Sequence, residues 1–267
     1  MDISLLGPLR LGDGDLDVTP SAPKQRQLLA LLLLNANSTV SVDECIRELW
    51  DGNSPAGALA TVHAHMTQLR KVLASAPSGA GRLMTHGRGY VFAAERGEID
   101  VTVFADRMRA ADVARSAHHL SASARLVGAA LELWQAVVLV DVLSGPVSSV
   151  LRDGLARRRM DALCLRIDLD LELSRHHELL GELGALSYRH PADERLQVRL
   201  MTALYRCGRQ VDALAVYRRL CAVLRAEHGI VPSAGASGVQ TAILSADPRL
   251  DGPIAGTGMS LDLMTCA

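Results

Sequence analysis

Between Asp51 and Glu95 the chain carries no acidic residue, yet this stretch holds Arg70, Lys71, Arg82 and Arg88 together with His63, His65 and His86. Nitrogen-bearing side chains gathered without a carboxylate suit a polyanion, because phosphate binding needs locally concentrated positive charge. The net charge of the whole chain is only −1, so it is the local concentration of cations and not the total that suits such a partner. Within the stretch, ALATVHAHMTQLRKVL sets Leu59, Val62, Met66, Leu69 and Leu73 at three- and four-residue spacing, an inward-facing helical stripe. The opposite arc presents Ala60, His63, Ala64, Thr67, Gln68 and Lys71, with His65 and Arg70 at its margins. Small side chains on such a face let a helix backbone enter the major groove closely, while the longer donors reach base edges and phosphates. Arg70 is the leading candidate, since arginine is the commonest donor to guanine; Thr67 and Gln68 follow as base readers. His65 is either a packed histidine or a phosphate contact.

Other chemistries fit the sequence less well. His63 and His65 are two residues apart on a helix, about 200° around its axis, and cannot close on one metal ion. Five cysteines (Cys45, Cys164, Cys207, Cys221, Cys266) are scattered without a C-x-x-C pair and read as small buried hydrophobes, so no metal or cofactor is expected. His118-His119 and His176-His177 fall at predicted helix ends, where a histidine near the C-terminus complements the helix dipole. Arg157-Arg158-Arg159 reads as a solvated face or a contact surface, and Lys24 and Arg26 as phosphate contacts or solvated caps. No G-x-S-x-G, zinc-ligand set, dinucleotide fingerprint or phosphate loop occurs, and Asp168 and Asp170 alternate on opposed helical faces, so the chain does not read as an enzyme.

The elements that must position the basic helix are legible upstream and downstream of it. Residues 3 to 18 hold short apolar runs broken by Gly7-Pro8 and Gly12-Asp13-Gly14-Asp15, the pattern of a small antiparallel sheet. Ser21-Ala22-Pro23 opens a helix over KQRQLLALLLLNAN that is apolar on most sides and therefore buried. Ser41 and Glu44 form a capping box for VDECIRELWDG. After ASAPSGAG, two apolar strands flank His86-Gly87-Arg88-Gly89, a hairpin with a basic tip. Sheet, three helices and hairpin make the winged helix-turn-helix layout, in which the third helix reads DNA and the wing touches backbone or minor groove.

From about Val101 the pattern turns to helices, expected near 101–119, 121–135, 148–175, 177–190, 194–207 and 210–228. A shift of 34 residues lays Leu171, Ser174, Arg175, Leu180, Leu183 and Leu186 onto Tyr205, Gly208, Arg209, Leu214, Tyr217 and Leu220. This is the tetratricopeptide period, which predicts stacked helical hairpins. The fold class is thus mainly α: a winged helix-turn-helix domain over 1–97, an all-α TPR-like domain over 98–250, and a disordered tail over 251–267.

These strings resemble the Streptomyces antibiotic regulatory proteins over roughly residues 3 to 245. The likeness is carried by LLGPL, PKQRQLLALLLLNAN, VSVDECIRELW, the TVxxHxxxLR of Thr61 to Arg70, GRGYVF, and ADERLQVRLMTALYRCGRQVDALAVYRRLCAVLRAEHGIVP. The first half looks like the DNA-binding domain of OmpR-type response regulators, and the second like a bacterial transcriptional activation domain. The resemblance implies a sequence-specific activator of a secondary-metabolite (antibiotic) gene cluster. Such a protein binds direct repeats near the −35 element as a side-by-side homodimer and recruits RNA polymerase holoenzyme. It also implies that His65, Thr67, Gln68 and Arg70 contact double-stranded promoter DNA and that His86 and Arg88 form the wing tip. Two stretches depart from the family pattern: AVVLVDVLSGPV after Trp134, where a Gly-Pro turn is usual, and SAGASG (Ser233 to Gly238), where an acidic helix start is expected.

The longest apolar run, Leu28 to Leu34, is far shorter than the roughly 20 residues of a membrane span, and MDISLLGPLRL does not read as a signal peptide. The expected place is the cytoplasm, at the nucleoid when bound to DNA, with no membrane partner. Two readings of the same fold stay open: an adaptor that uses its winged helix for protein contact, and a repressor.

Overall fold

The computed structural model describes residues 1–250; the expected tail at 251–267 lies outside them. Two compact units emerge, one formed by Met1–Ala111 with Leu126–Ala162 and the other by Asp112–Arg125 with residues from Leu163 onward.

In the first unit, strands β1 (Asp2–Ser4), β2 (Arg10–Asp13) and β3 (Leu16–Asp17) form an antiparallel sheet with Ile3 opposite Leu11. Helix α1 (Pro23–Leu34) follows with Pro23 in its first turn, and Gln27 through Leu33 are all buried, as an all-round apolar helix requires. The two-residue β4 (Val40–Ser41) leads into α2 (Val42–Trp50). There the Ser41 hydroxyl accepts from the Glu44 N–H, and the Glu44 carboxylate accepts from the Ser41 N–H, completing the expected box. These hydrogen bonds to Ser41 hold the Glu44 carboxyl below the ordinary glutamate range. Helix α3 (Ala58–Leu73) is followed by β5 (Leu83–His86) and β6 (Gly89–Phe92), and β6 lies between β4 and β5. Gly89 is needed where β6 crosses β4, because a Cβ there would sit 2.4 Å from the Val40 carbonyl oxygen.

The rest of this unit is stitched to the winged helix by carboxylates. Helix α4 (Asp100–Ser116) starts at Asp100, which accepts the Leu5 and Leu6 N–H groups at 2.8 Å each. After α5 (Leu120–Leu131), the irregular segment containing the family-divergent AVVLVDVLSGPV folds onto the LLGPL loop, with Gln135 N–H donating to Leu6 and Leu139 N–H to Gly7. Asp141 accepts from the Leu9 N–H and pairs with Arg26. Glu48 of α2, 1% exposed, accepts from the N–H groups of Gly145, Val147 and Ser148 and from the Ser148 hydroxyl. It thereby caps α6 (Pro146–Glu172) from outside that helix. A Cβ on Gly145 would fall 2.0 Å from the Glu48 carbonyl oxygen, so only glycine admits this approach.

The second unit stacks α7 (His176–Arg189), α8 (Glu194–Arg206) and α9 (Gln210–Val223) as antiparallel neighbours, with α10 (Ala234–Leu244) packed on α8. The 34-residue shift holds at the backbone: α6 ends at 172 and α8 at 206, and α7 spans 176–189 where α9 spans 210–223. Ser174 (φ 60°) and Gly208 (φ 72°) both take the left-handed conformation. At both places the next N–H reaches five residues back, Arg175 to Asp170 and Arg209 to Leu204, which is the Schellman closure of a helix. The same device ends α4 at His118 (φ 59°), where His119 donates to Ala114. Helix boundaries correct one expectation, because His176 and His177 open α7 and do not close the helix before it. The divergent SAGASG still starts a helix: the Ser233 hydroxyl accepts from the Ala236 N–H, and Glu194 accepts from Ser233. Asp168 pairs with the buried Arg199, and Asp170 with Arg166 and Arg175, so both carboxylates serve packing.

Three stability outcomes follow from these contacts. Glu48→Ala strands the start of α6 and lowers unfolding free energy by about 3 kcal/mol or more in urea melts, whereas an unchanged midpoint contradicts the capping role. Ser174→Gly relieves a left-handed exposed serine and raises stability by about 1 kcal/mol; a loss would show that the serine side chain matters. Ser41→Ala costs about 1 kcal/mol at neutral pH. Because the folded Glu44 pKa is depressed, the contribution of this pair is present above the ordinary glutamate range and vanishes as pH falls through the folded value. The gap between wild type and Ser41→Ala therefore closes in acid.

Candidate nucleic-acid interface

Helix α3 buries Ala58, Val62, Met66, Leu69 and Leu73. The expected stripe is correct except at its first member, since Leu59 is 51% exposed and Ala58 takes its place. The register 58, 62, 66, 69, 73 keeps one face over a core that ends at the first turn, so Leu59 falls beside it and not on it. On the outer face His63, Ala64, Thr67, Gln68 and Lys71 are all exposed, while His65 and Arg70 are half-buried at the margins. No acid stands in the first turn of α3, and Arg70 and Lys71 lie in the last.

Arg70 is committed to more than solvent. Its Nε donates to the Leu83 carbonyl at 2.9 Å, one Nη donates to the Thr85 hydroxyl at 2.8 Å, and its guanidinium lies 5.7 Å from the Tyr90 ring centroid. It therefore fixes β5 and β6 against α3, and among the described residues its other Nη group makes no hydrogen bond. Neither Thr85 nor Tyr90 stands out in the sequence, because what singles them out is strand register: Thr85 pairs with Tyr90 across the hairpin. The two-residue loop of this hairpin, Gly87-Arg88, has Gly87 at φ 55°, which a glycine in first position supplies without strain. Both His86 and Arg88 are exposed at this tip, and the His86 Nδ1 lies 3.0 Å from the Thr39 hydroxyl.

The acid-free stretch is less cationic in three dimensions than in one. Arg82 binds Glu98 through two nitrogens, at 3.0 and 2.9 Å, and also pairs with Glu95, so its charge is spent on the fold. Partial burial, with Lys24 nearby, pushes the His65 imidazole down from its ordinary pKa. Lys24 itself lies 4.7 Å from the Trp50 ring centroid, and Arg26 is taken up by Asp141 and the Pro20 carbonyl. What remains is a face of exposed Lys71 and Arg88 and the outer edge of Arg70, with His63, Thr67, Gln68 and His86 as exposed polar groups beside them. The Thr67 hydroxyl donates back to the His63 carbonyl at 2.9 Å, so its proton is taken and its oxygen is left as an acceptor.

Residues 17–92 match the model of the family described as transcriptional regulatory protein, C terminal, and residues 99–244 match the bacterial transcriptional activator domain. Regulatory protein AfsR of Streptomyces coelicolor is 40% identical over 247 residues, covering 92% of this chain but 24% of its own length. The chain thus spans about a quarter of that relative. Regulatory protein DnrI of Streptomyces peucetius is 36% identical over 257 residues, 94% of each chain. Among solved structures, Mycobacterium tuberculosis EmbR, in complex with a low affinity phosphopeptide, superposes with a TM-score of 0.87 at 31% identity, over 92% of this chain and 65% of that one. With both domain models in the order of the fold, and a relative matched along nearly its entire length, the chain belongs to the Streptomyces antibiotic regulatory protein family of transcriptional activators.

Proposed function

We propose that residues 1–97 bind promoter DNA in a sequence-specific way and that residues 98–250 carry activation by engaging RNA polymerase. The regulated unit is then a secondary-metabolite biosynthetic gene cluster, with two subunits side by side on direct repeats near the −35 element. One observation carries the reading: α3 turns an acid-free face of small residues and donors outward, beside a basic wing that Arg70 ties to the same helix. In this arrangement Gln68 and Thr67 read base edges, Lys71 and Arg88 bind phosphate, and exposed Leu59 meets a thymine methyl near the helix start. His63, His65 and His86 add hydrogen-bond donors along the same path, and Arg70 sets the angle between helix and wing while offering its free Nη group to the duplex. Membership of the family, with DnrI as a relative of equal extent, supports the choice of a gene-control role.

Anisotropy titration of the full chain against DNA flanking its gene tests this at several salt concentrations. Wild type should bind with a steep salt dependence, and Lys71→Ala should weaken binding evenly across sequences and reduce the salt slope by about 1. Gln68→Ala should cost roughly 5- to 150-fold on the matching repeat and little on unrelated DNA, the worth of one bidentate base contact. Binding indifferent to salt and to both substitutions would defeat the proposal. In vitro transcription with and without the protein then fixes the sign, a rise in transcript being expected.

A further inference from the structure

The start of α7 and the end of α8 bring three metal-ligating side chains together. The Sγ of Cys207, the residue that caps α8, lies 3.4 Å from Nδ1 of His177, and the His176 and His177 rings stand 4.8 Å apart, centroid to centroid. One ligand atom from each of His176, His177 and Cys207 falls within 4.8 Å of the others. The His176 Nδ1 is buried and has no hydrogen-bond partner among the described residues, an uncommon state for an imidazole nitrogen, which ordinarily finds a donor or acceptor. His176 and Cys207 are half-buried and His177 is exposed, so an ion can reach the cluster from solvent.

We propose that His176, His177 and Cys207 form a binding site for a zinc-class divalent ion. Two imidazoles and one thiolate are a borderline-soft donor set, and three protein ligands leave a fourth position for water. Around tetrahedral zinc, ligand atoms stand roughly 3.3–3.6 Å apart, from Zn–N near 2.0 Å and Zn–S near 2.3 Å. The Cys207–His177 pair already meets this spacing, and rotation of the histidine rings draws the widest separation in. Binding forms a Zn–S bond and releases the thiol proton to solvent, with no change of oxidation state. The ion would clip the first turn of α7 to the cap of α8. Neither the histidine pair nor the cysteine announces this in sequence, because Cys207 is 30 residues from His177. The Schellman turns that end α6 and α8 are what bring the two helix ends side by side.

The test is a cobalt titration of the full-length, reduced, chelator-treated chain, followed by zinc competition. One equivalent of Co²⁺ should bind with a thiolate-to-cobalt charge-transfer band and tetrahedral visible bands, and Zn²⁺ should displace it. Cys207→Ser should abolish the thiolate band, and both it and His177→Ala should weaken zinc binding at least tenfold, while Cys221→Ser leaves both unchanged. His177 is exposed, so its substitution keeps the test valid should the cysteine variant fold poorly. Absence of a thiolate band in the wild type, or a band that survives Cys207→Ser, would overturn the assignment. The measurement does not involve DNA and stands apart from the promoter-binding proposal.

Discussion

Glu48 occupies the place on which the rest of the winged-helix unit depends. A carboxylate that is 1% exposed costs several kcal/mol to desolvate unless its lone pairs are filled, and here backbone N–H groups at the start of α6 fill them. Those same N–H groups have no partner within their own helix, so one contact answers two needs. Gln27 of α1 extends the junction by donating to the Glu48 carbonyl oxygen at 2.7 Å. Helices α1 and α2 therefore hold fixed positions relative to the start of α6, and α3 packs on both of them. The orientation of the outward face of α3 is inherited from this junction. Asp100 and Asp141 do for the LLGPL loop what Glu48 does for α6.

Cations divide into those that build the fold and those that face outward. Arg82, Arg26 and Arg199 are consumed by carboxylates, and Arg152 donates to the Val142 carbonyl. Lys71 and Arg88 stand exposed on the surface. Arg70 stands between the two groups, for it holds the wing with two of its nitrogens and keeps donors in reserve. The triplet Arg157 to Arg159 is exposed, and Arg159 lies 5.2 Å from the Trp134 ring centroid, so one of the three has a packing role as well.

Much of this was legible in the residues because local rules and tertiary demands agreed. The capping box at Ser41 and Glu44, the apolar α1 and the hairpin around Gly87 need only near neighbours to form, and each stands as read. The 34-residue period was visible as matched leucines, and the paired left-handed residues at Ser174 and Gly208 give it a backbone cause. Long-range electrostatics was not legible: nothing near Arg82 in sequence shows that Glu98 will take its charge, and nothing near Glu48 points to Gly145. Leu59 shows a limit of periodicity itself, since spacing marks a face but not where the core beneath it ends.

In the proposed function the outer face of α3 and the tip of the β5–β6 hairpin together contact a DNA duplex. Amide hydrogen exchange, followed by mass spectrometry with and without promoter DNA, reads this directly along the whole chain. Exchange should slow chiefly in 58–73 and 83–92, and the effect should vanish when the duplex is unrelated in sequence and salt is high. Protection confined to the repeat helices, with α3 and the wing unaffected by DNA, would contradict it.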